Sequence, residues 1–395
     1  MSWERYRLGD LYEVHNGLSK GSKFFGSGYD FLSFSTVFNN YFIPDELPDL
    51  VQSTEKEQES YSIKRGDIFL TRTSETADEL GMSCVALKDY PHATYNGFTK
   101  RLRPITDKVV PEYIGYYMRM PSFRNEFMAF STMTTRASLR NEDLLGLKVN
   151  LPNLDKQSSI ANILREYDYL IENNQKQIKL LEEAAQRLYK EWFIDHHFPG
   201  YENVKIVDSI PEGWNIRKLA DVADIIMGQS PTSDTFNLNR NGLPFHQGVG
   251  SYGNRYVKNK VYTTSYTRIA NADSILFSVR APVGRLNVTK NKIVIGRGLA
   301  AFNQKQGYQN YLFYMLKEHY FKDDLIGNGS IFSSITKNEL MNQKFIIPDT
   351  KTMLAYDNIA KIIDKKIDNL DCQIDLISEA RNRLLPKLMS GEIEI

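Results

Sequence analysis

The stretch LKVNLPNLDKQSSIANILREYDYLIENNQKQIKLLEEAAQRLYKEWF, residues 147–193, decides the fold because the chain contains a second version of it. The second version is QKFIIPDTKTMLAYDNIAKIIDKKIDNLDCQIDLISEARNRLLPKLM, residues 343–389. The two align without a gap at a constant offset of 196, which matches Asp168 with Asp364. A period this long indicates two copies of a whole domain with its helix, and excludes a solenoid of short repeats.

Each half has the same order of parts, namely a globular region, a strand and a long helix. A short signature opens each globular region, Leu8-Gly9-Asp10-Leu11 and then Leu219-Ala220-Asp221-Val222, at an offset of 211. Since the offset at the helices is 196, the second globular region is 15 residues shorter. Pro and Gly in the connector 208–214 mark the boundary between the halves. We predict globular domains at 1–153 and 201–350, and helical segments at 154–200 and 351–395.

Both helices carry apolar residues at alternating three- and four-residue spacing, which is typical of a coiled-coil seam. The residues predicted to form this seam are Ile171, Ile178, Leu181, Leu188, Ile367, Leu370, Ile374, Ile377 and Leu384. Asn174 and Arg381 interrupt the pattern. Because Pro386 lacks a backbone N–H, we expect the second helix to end or kink near Leu385. A helix from about 155 to 194 would be about 60 Å long.

The predicted fold class is therefore α+β. Two globular α/β domains alternate with two long helices, which pack as an antiparallel coiled coil in a pseudo-twofold internal repeat. Abundant Tyr and Phe, together with short β-type runs such as 67–72 and 273–280, indicate that both globular domains are rich in strands.

Composition indicates a soluble globular protein, with 42% hydrophobic and 25% charged residues. No apolar run of about 18 residues predicts a membrane span, and the first residues do not resemble a signal peptide. The two cysteines, Cys84 and Cys372, match no metal-ligand spacing and suit a reducing compartment. The sequence therefore predicts a cytoplasmic protein.

Charge is unevenly distributed although the net charge is only +1. Nine basic residues and a single acid, Asp273, lie between Arg255 and Arg297, and the segment 100–140 has eight basic residues and three acids. Local basic patches bind phosphate whatever the charge of the whole chain. An ordinary solvated surface is the equally open alternative.

Signatures of catalysis are missing from the sequence. It has neither a Gly-x-x-x-x-Gly-Lys-Ser/Thr phosphate loop nor a strand-linked Gly-x-Gly-x-x-Gly, since Gly296-Arg297-Gly298 lacks the third glycine. The pair His196-His197 has no spaced carboxylate or cysteine. We therefore predict no catalytic residues and no metal site in this chain.

Four segments carry a resemblance to the DNA specificity (S) subunits of type I restriction-modification systems. They are LLEEAAQRLYKEWFIDHHFPG at 180–200, IPEGWNIRKLADVADIIMGQSP at 210–231, ADSILFSVRAPVG at 272–284 and RNRLLPKLMSGEIEI at 381–395. The resemblance implies a non-catalytic subunit for defence against foreign DNA. Each globular region would be a target-recognition domain that reads one part of a bipartite site in double-stranded DNA, and the helices would act as a spacer.

The resemblance also implies partners. The helices would dock two methyltransferase subunits and, through them, two restriction-translocase subunits. The assembled complex would be an N6-adenine DNA methyltransferase and an ATP-dependent endonuclease. S-adenosylmethionine, ATP and Mg²⁺ would be bound by the partner subunits and not by this chain. The first half departs from the pattern, because Thr73-Ser74 follows its strand where the second half has Arg280-Ala281-Pro282.

Polar and basic loop residues are the candidates for contact with DNA, because such side chains bond phosphates and base edges. In the first domain they are Ser19, Lys20, Arg72, Thr73, Tyr95, Asn96, Lys100, Thr135, Arg136 and Ser138. In the second they are Gln229, Ser230, His246, Gln247, Tyr252, Arg280, Arg297, Ser330, Ser333 and Ser334. Arg280 is the strongest candidate because the resemblance supplies it, and an Arg paired with a carboxylate is its structural alternative.

Two other functions stay open at this point. One is a stand-alone DNA-acting enzyme, such as a nuclease, which would need clustered carboxylates with metal-ligand geometry. The other is a scaffold that uses the coiled coil for assembly only.

Overall fold

The computed structural model describes residues 3–74, 80–129, 132–133, 137–138, 140–320 and 334–395. The chain divides into two compact units, one formed by 1–170 with 376–395 and the other by 171–375. Each unit contains one globular domain and part of each long helix. Within the described ranges, every helix is too short or too polar to cross a membrane.

The first globular domain combines short helices with short strands. Its helices are α1 (Leu8–Leu11), α2 (Phe34–Asn39), α3 (Glu55–Ser60), α4 (Pro111–Tyr117), α5 (Pro121–Ala129) and α6 (Asn141–Gly146). Its strands are β1 (Glu4–Arg7), β2 (Tyr12–Asn16), β3 (Phe25–Leu32), β4 (Asp49–Val51), β5 (Ile68–Thr71), β6 (Thr73–Ser74), β7 (Ser83–Val85), β8 (Thr94–Tyr95), β9 (Thr99–Pro104), β10 (Thr132–Met133), β11 (Ala137–Ser138) and β12 (Lys148–Leu151). The long helix α7 (Leu154–Phe193) follows, close to its predicted bounds.

The second globular domain repeats this composition. Its helices are α8 (Leu219–Val222), α9 (Gln309–Tyr320) and α10 (Lys337–Asn342). Its strands are β13 (Ile206–Val207), β14 (Ile210–Pro211), β15 (Asn215–Lys218), β16 (Ala223–Met227), β17 (Phe236–Asn237), β18 (Leu243–His246), β19 (Val261–Thr263), β20 (Ile269–Ala270), β21 (Ile275–Ser278), β22 (Leu286–Val288), β23 (Ile293–Ile295), β24 (Leu299–Gln304) and β25 (Lys344–Ile347). The second long helix, α11 (Thr350–Ser390), ends the repeat.

One strand pair in each domain joins a strand that repeats at the offset of 211 to a strand that repeats at the offset of 196. β1 pairs antiparallel with β12, with Glu4 opposite Leu151. β15 pairs with β25 in the same register, with Asn215 opposite Ile347. The first residue of each pair belongs to the offset of 211 and the second to the offset of 196. In each domain, the strand that precedes the opening signature therefore pairs with the strand that leads into the long helix.

The main antiparallel sheets of the two domains correspond as well. The order is β2-β9-β5-β7 in the first domain and β16-β24-β21-β22 in the second. Each central strand, β5 or β21, is buried along its whole length. An aromatic-rich core packs on each sheet and includes the buried tyrosines of α4 and α9. The mixed α+β class is thus observed in both halves.

Apolar seam residues pack where the two helices run antiparallel. The buried members of this cluster are Ile178, Ile367, Leu370 and Ile374, and Ile171 and Leu181 pack against it. Leu188 and Leu384 instead pack on the cores of the second and first domains, and Ile377 is half-buried. The amide of Asn174 donates to Oε1 of Gln373 at 3.2 Å, which satisfies the polar seam position.

We predicted that α11 would end or kink near Leu385, and an end at that residue is not observed. The helix continues through Pro386 to Ser390. The missing N–H removes one backbone hydrogen bond only about one turn before the helix ends. Leu385, Leu388 and Met389 are buried in the core of the first domain, and this burial offsets the loss.

A buried carboxylate on each long helix ties it to its globular domain. In the first unit, Asp168 accepts hydrogen bonds from the Tyr116 hydroxyl and the Arg381 guanidinium. In the second, Asp364 accepts from the Tyr314 hydroxyl at 3.0 Å and from Arg255 at 2.6 Å. Arg381 is therefore a partner for a buried charge, although the heptad pattern alone presents it as an interruption.

We expect Asp168→Ala to lower the free energy of unfolding by about 3–5 kcal/mol, because it leaves a buried guanidinium unpaired. Urea unfolding at neutral pH measures this change. The control is Glu379→Ala, which breaks an exposed pair with Arg383 and should cost less than about 1 kcal/mol. Equal costs for the two variants would show that the buried carboxylate does not anchor the helix.

Candidate nucleic-acid interface

Three loops of the second domain converge at one exposed place. The Ser230 hydroxyl donates to Oε1 of Gln247 at 2.7 Å and accepts from the backbone N–H of Arg297 at 3.2 Å. The backbone N–H of Gln229 donates to the carbonyl of Ile295 at 2.9 Å. We call Gln229, Ser230, Gln247 and Arg297 loop cluster 2. It places two amide side chains and one guanidinium on one surface, since Ser230 is half-buried and the other three are exposed.

Glycines make this convergence possible. A Cβ on Gly228 would lie 2.1 Å from the carbonyl oxygen of Gly296. A Cβ on Gly298 would lie 2.5 Å from the carbonyl oxygen of Gln247. Neither approach leaves room for a side chain. The weak Gly-x-Gly pattern at 296–298 therefore brings backbones together.

The first domain has the same loop frame. Three of its backbone hydrogen bonds have direct counterparts in the second domain. The N–H of Leu18 donates to the carbonyl of Tyr95, as Gln229 does to Ile295. Asn96 donates to Leu32, as Gly296 does to His246. Arg72 donates to Phe98, as Val279 does to Gly298. By these bonds, Ser19 corresponds to Ser230 and Gly97 corresponds to Arg297.

The corresponding loops carry different side chains. We call Ser19, Arg72, Asn96 and Gly97 loop cluster 1. A Cβ on Gly97 would lie 2.2 Å from the Ser19 hydroxyl oxygen. An arginine there would have to displace Ser19, so the guanidinium of Arg297 has no counterpart at position 97, and the arginine of loop cluster 1 is at a different place, Arg72.

Arg280 lies beside loop cluster 2 and is exposed. It forms an antiparallel bridge with Ser334, and in the first domain Thr73 pairs in the same way with Ser138. Thr73 therefore stands where the second domain has Arg280. In the part of the chain that the structure describes, no ion pair involves Arg280 or Arg297. Both side chains are exposed.

Three of the predicted DNA contacts are corrected because their side chains are buried. The Tyr95 hydroxyl donates to the Asn16 carbonyl at 3.0 Å, and burial raises its pKa. The Lys100 amine donates to the side chain of Asn141, and burial lowers its pKa. His246 is 1% exposed. These groups stabilise the domains and do not face a ligand.

The other predicted DNA contacts lie in different surroundings. Lys20 is engaged by Glu57 at 2.7 Å, and the ring of Tyr252 packs on a small apolar cluster of the second domain. Thr73 and Ser138 lie on strands β6 and β11, and Ser334 is exposed. Thr135, Arg136, Ser330 and Ser333 lie outside the described residues.

The basic segment 255–297 is only partly a free surface. Arg255, Lys258 and Lys290 contact Asp364, Asp375 and Asp368 of α11 at 2.6, 3.9 and 2.5 Å. The sequence left a phosphate-binding patch and an ordinary solvated surface equally open for this segment, and for these three cations the patch is not supported, because carboxylates of the same unit pair with them. Arg268, Arg280 and Arg297 remain exposed.

Some exposed residues beside the loop clusters were not predicted from sequence. The Thr267 hydroxyl donates to the Gln229 carbonyl at 2.5 Å, which places its neighbours Tyr266 and Arg268 next to loop cluster 2. Tyr266 is 53% exposed and Phe98, beside Gly97, is 59% exposed. Exposed aromatic rings among basic residues suit stacking on bases, and that combination is the sequence signal that could have identified them.

Among the described residues, there is no group of three or more His, Cys, Asp or Glu side chains that could hold a metal ion. The Cys84 thiol is buried, which raises its pKa to about 12, and Cys372 is a free, exposed thiol. What loop clusters 1 and 2 offer is a set of hydrogen-bond donors and acceptors on rigid backbone.

His246 makes the second domain sensitive to acid. Its ring nitrogens lie 2.8 Å from the Ser251 hydroxyl and 2.9 Å from Oδ1 of Asn259. Burial lowers its pKa below the ordinary 6.5, although the Asn259 hydrogen bond opposes this shift. The unfolded chain therefore takes up a proton at a higher pH than the folded chain. Stability is complete above about pH 6.5 and falls as the pH is lowered toward the folded pKa.

We expect His246→Gln to flatten the pH dependence of the free energy of unfolding between about pH 7.5 and 5.5. The difference from the unsubstituted protein should reach at most about 1.4 kcal/mol per pH unit. Urea unfolding across this range measures it. Asn291→Gln, at an exposed position of the same domain that does not titrate, should leave the slope unchanged, and an unchanged slope for His246→Gln would contradict the assignment.

Known proteins resemble this chain over its whole length. The family model described as the type I restriction modification DNA specificity domain matches residues 1–183 and 211–385. The MjaX specificity subunit assigned to Methanocaldococcus jannaschii is 30% identical over 401 residues, covering 100% of this chain and 94% of that protein. The HindI specificity subunit of Haemophilus influenzae is 21% identical, covering 99% of each. The type I S subunit of M. genitalium shares the fold with a TM-score of 0.53 at 14% identity, covering 98% of this chain and 96% of that one.

Proposed function

The chain belongs to the family of type I restriction-modification DNA specificity proteins, and on that premise we propose that it selects the DNA sequence on which such a system acts. Each globular domain reads one half of a bipartite site in double-stranded DNA. The chain itself recognises DNA, and partner subunits carry out methylation and cleavage.

The observation that carries this proposal is the repeated loop frame with unlike side chains. Loop clusters 1 and 2 are built on the same backbone hydrogen bonds, yet Gly97 stands for Arg297 and Thr73 for Arg280. Base edges are read by specific side chains, while the frame only positions them. The two half-sites therefore differ in sequence.

Loop cluster 2 has the chemistry of a base reader. Arginine bonds two acceptors of guanine in the major groove, and glutamine bonds adenine through a donor and an acceptor. Gln229 and Gln247 supply amides, and Arg297 and Arg280 supply guanidinium groups that form no ion pair with any described residue. Loop cluster 1 offers an amide at Asn96 and a guanidinium at Arg72, so it is suited to a different short sequence.

The long helices supply docking surfaces for two methyltransferase subunits. Leu180 is 63% exposed on α7 and Leu376 is 67% exposed on α11, and they are equivalent residues at the offset of 196. Equivalent positions in the two halves suit two copies of one partner. Two restriction-translocase subunits join through the methyltransferases. S-adenosylmethionine, ATP and Mg²⁺ bind in these partners, which make the complex an N6-adenine methyltransferase and an ATP-dependent endonuclease.

We expect Arg297→Ala or Arg280→Ala to weaken binding of the cognate duplex by the methyltransferase complex by about 1–3 kcal/mol and to relax sequence preference in one half-site. Fluorescence anisotropy with cognate and scrambled duplexes measures both effects. The cognate sequence can be obtained from the methylation pattern of genomic DNA with and without the gene.

Arg217→Ala is the matched control, because Arg217 is exposed on β15 of the same domain. It should change affinity for cognate and scrambled DNA equally or not at all. Equal binding of all sequences by the unsubstituted complex would overturn the proposal. Cleavage of DNA by the purified chain with Mg²⁺ alone would favour a nuclease, and full specificity in both arginine variants would favour a scaffold.

Leu180→Asp and Leu376→Asp should each remove one methyltransferase copy, and the double variant should remove both. The expected loss follows from placing a carboxylate in an apolar contact. Mass photometry of the co-purified complex counts the copies. Leu238→Asp, at a 75% exposed position of the second domain, should retain two, and retention of both copies by the double variant would contradict docking at these leucines.

A further inference from the structure

Five aspartates of α11 face the second domain. Asp357, Asp364 and Asp371 follow one another at seven-residue intervals, as do Asp368 and Asp375. Their partners in the domain are the backbone N–H of Tyr311 at 3.0 Å, Arg255 at 2.6 Å, Asn254 at 3.4 Å, Lys290 at 2.5 Å and Lys258 at 3.9 Å, in the same order. We call these five residues the aspartate ladder.

The central contact of the ladder is buried and directional. Arg255 is 2% exposed, and its guanidinium lies 3.2 Å from the centre of the Phe313 ring. Asp364 receives this guanidinium on one oxygen and the Tyr314 hydroxyl on the other. Because a planar guanidinium needs both its ring and its acceptor in place, this contact defines how the segment around residue 255 lies on the helix.

The outer contacts are progressively more exposed. In the Lys290–Asp368 pair the side chains are 38% and 40% exposed, and in the Lys258–Asp375 pair they are 54% and 68% exposed. Each such pair contributes little to stability. Together they hold the domain at two further places along α11, both C-terminal to Asp364, and so resist its rotation about the Arg255 contact.

The ladder is connected to loop cluster 2 by His246. Its ring bonds Ser251 and Asn259, the residues on either side of the segment that contains Arg255 and Lys258. Gln247 of loop cluster 2 directly follows His246 in the chain. Lys290 lies between β22 and β23, and β23 leads into Arg297. A change in how this segment sits on α11 is therefore passed to loop cluster 2.

The first half of the sequence does not repeat the ladder. At the offset of 196, the counterparts of the five aspartates are Ala161, Asp168, Glu172, Gln175 and Lys179. In the first unit, the long helices supply the cations instead, since Arg165 of α7 lies 4.8 Å from the Phe42 ring and Arg381 of α11 lies 5.0 Å from the Tyr41 ring. The ladder is therefore specific to the second domain and is not a general requirement of the fold.

We propose that the aspartate ladder sets the orientation of the second domain on α11 and thereby the number of base pairs allowed between the two half-sites. Arg255, Lys258 and Lys290 are positioning residues that do not touch DNA. This inference rests on the proposed function, because gap length has meaning only for a two-part site. One extra base pair turns the second half-site by about 35°, so a small rotation of the domain is enough to change the preference.

The test is the double variant Lys258→Glu/Lys290→Glu in the complete complex with its methyltransferase subunits. It places like charges against Asp375 and Asp368 and leaves the buried Arg255–Asp364 contact intact. Affinity is measured for duplexes with the native gap and with gaps one base pair longer and shorter. We expect about tenfold weaker binding at the native gap and a narrowed or shifted gap preference, with unchanged preference for the sequence of each half-site.

Two further variants make the result specific. Adding Asp368→Lys/Asp375→Lys restores opposite charges and should restore the native gap preference. Lys260→Glu/Lys292→Glu introduces the same charge change at exposed positions of the same domain and should leave the gap preference unaltered, although its affinity for all duplexes decreases.

An unchanged gap preference in Lys258→Glu/Lys290→Glu would overturn the inference, as would failure of the added lysines to restore it. A changed preference in the Lys260→Glu/Lys292→Glu control would also overturn it, because net charge would then explain the effect. Failure of the proposed function looks different, since the unsubstituted complex would then bind scrambled half-sites as well as cognate ones.

Discussion

A buried carboxylate on a long helix needs a hydrogen-bonding cation or hydroxyl from whatever packs against it. Asp168 and Asp364 impose this need at the same position of the repeat. Each carboxylate accepts a hydrogen bond from a tyrosine of the helix that follows the main sheet, Tyr116 for Asp168 and Tyr314 for Asp364. Each globular domain is thus held to its helix at an equivalent place, and the loop clusters are oriented from there.

The remaining partner of each carboxylate differs between the halves. Arg381 comes from the other long helix, whereas Arg255 comes from the globular domain itself. Position 185, the counterpart of 381, is a buried alanine, so α7 has no cation to offer Asp364. The second domain supplies Arg255 as the cation for Asp364 instead. The contact that joins two helices in the first unit is therefore a contact between domain and helix in the second. The two halves of the repeat therefore fix the orientation of their globular domains on the helices through different contacts.

Much of the fold could be predicted because its signals are local and repeated. The bounds of α7 and the strands β5 and β21 follow from apolar spacing, and the duplication identifies two halves. Pro386 misled because one lost hydrogen bond near a helix end is outweighed by tertiary burial. At the candidate site, exposed polar loops were identified by residue type, yet Tyr95, Lys100 and His246 are buried. Burial of a polar side chain depends on long-range contacts, which no local pattern contains.

For a related reason, a count of charges could not distinguish a phosphate-binding patch from a set of internal ion pairs. The cations of 255–297 read as one patch because their partners lie about a hundred residues away on α11, for example Asp364 for Arg255. The seven-residue spacing of Asp357, Asp364 and Asp371 was visible in the sequence, but it lies beside the apolar seam and reads as an ordinary solvated helix face. A regular row of acids next to a seam, combined with a basic loop segment elsewhere, indicates an internal electrostatic interface. Among the described residues, Arg280 and Arg297 are exposed cations beside loop cluster 2 that no carboxylate of α11 pairs with.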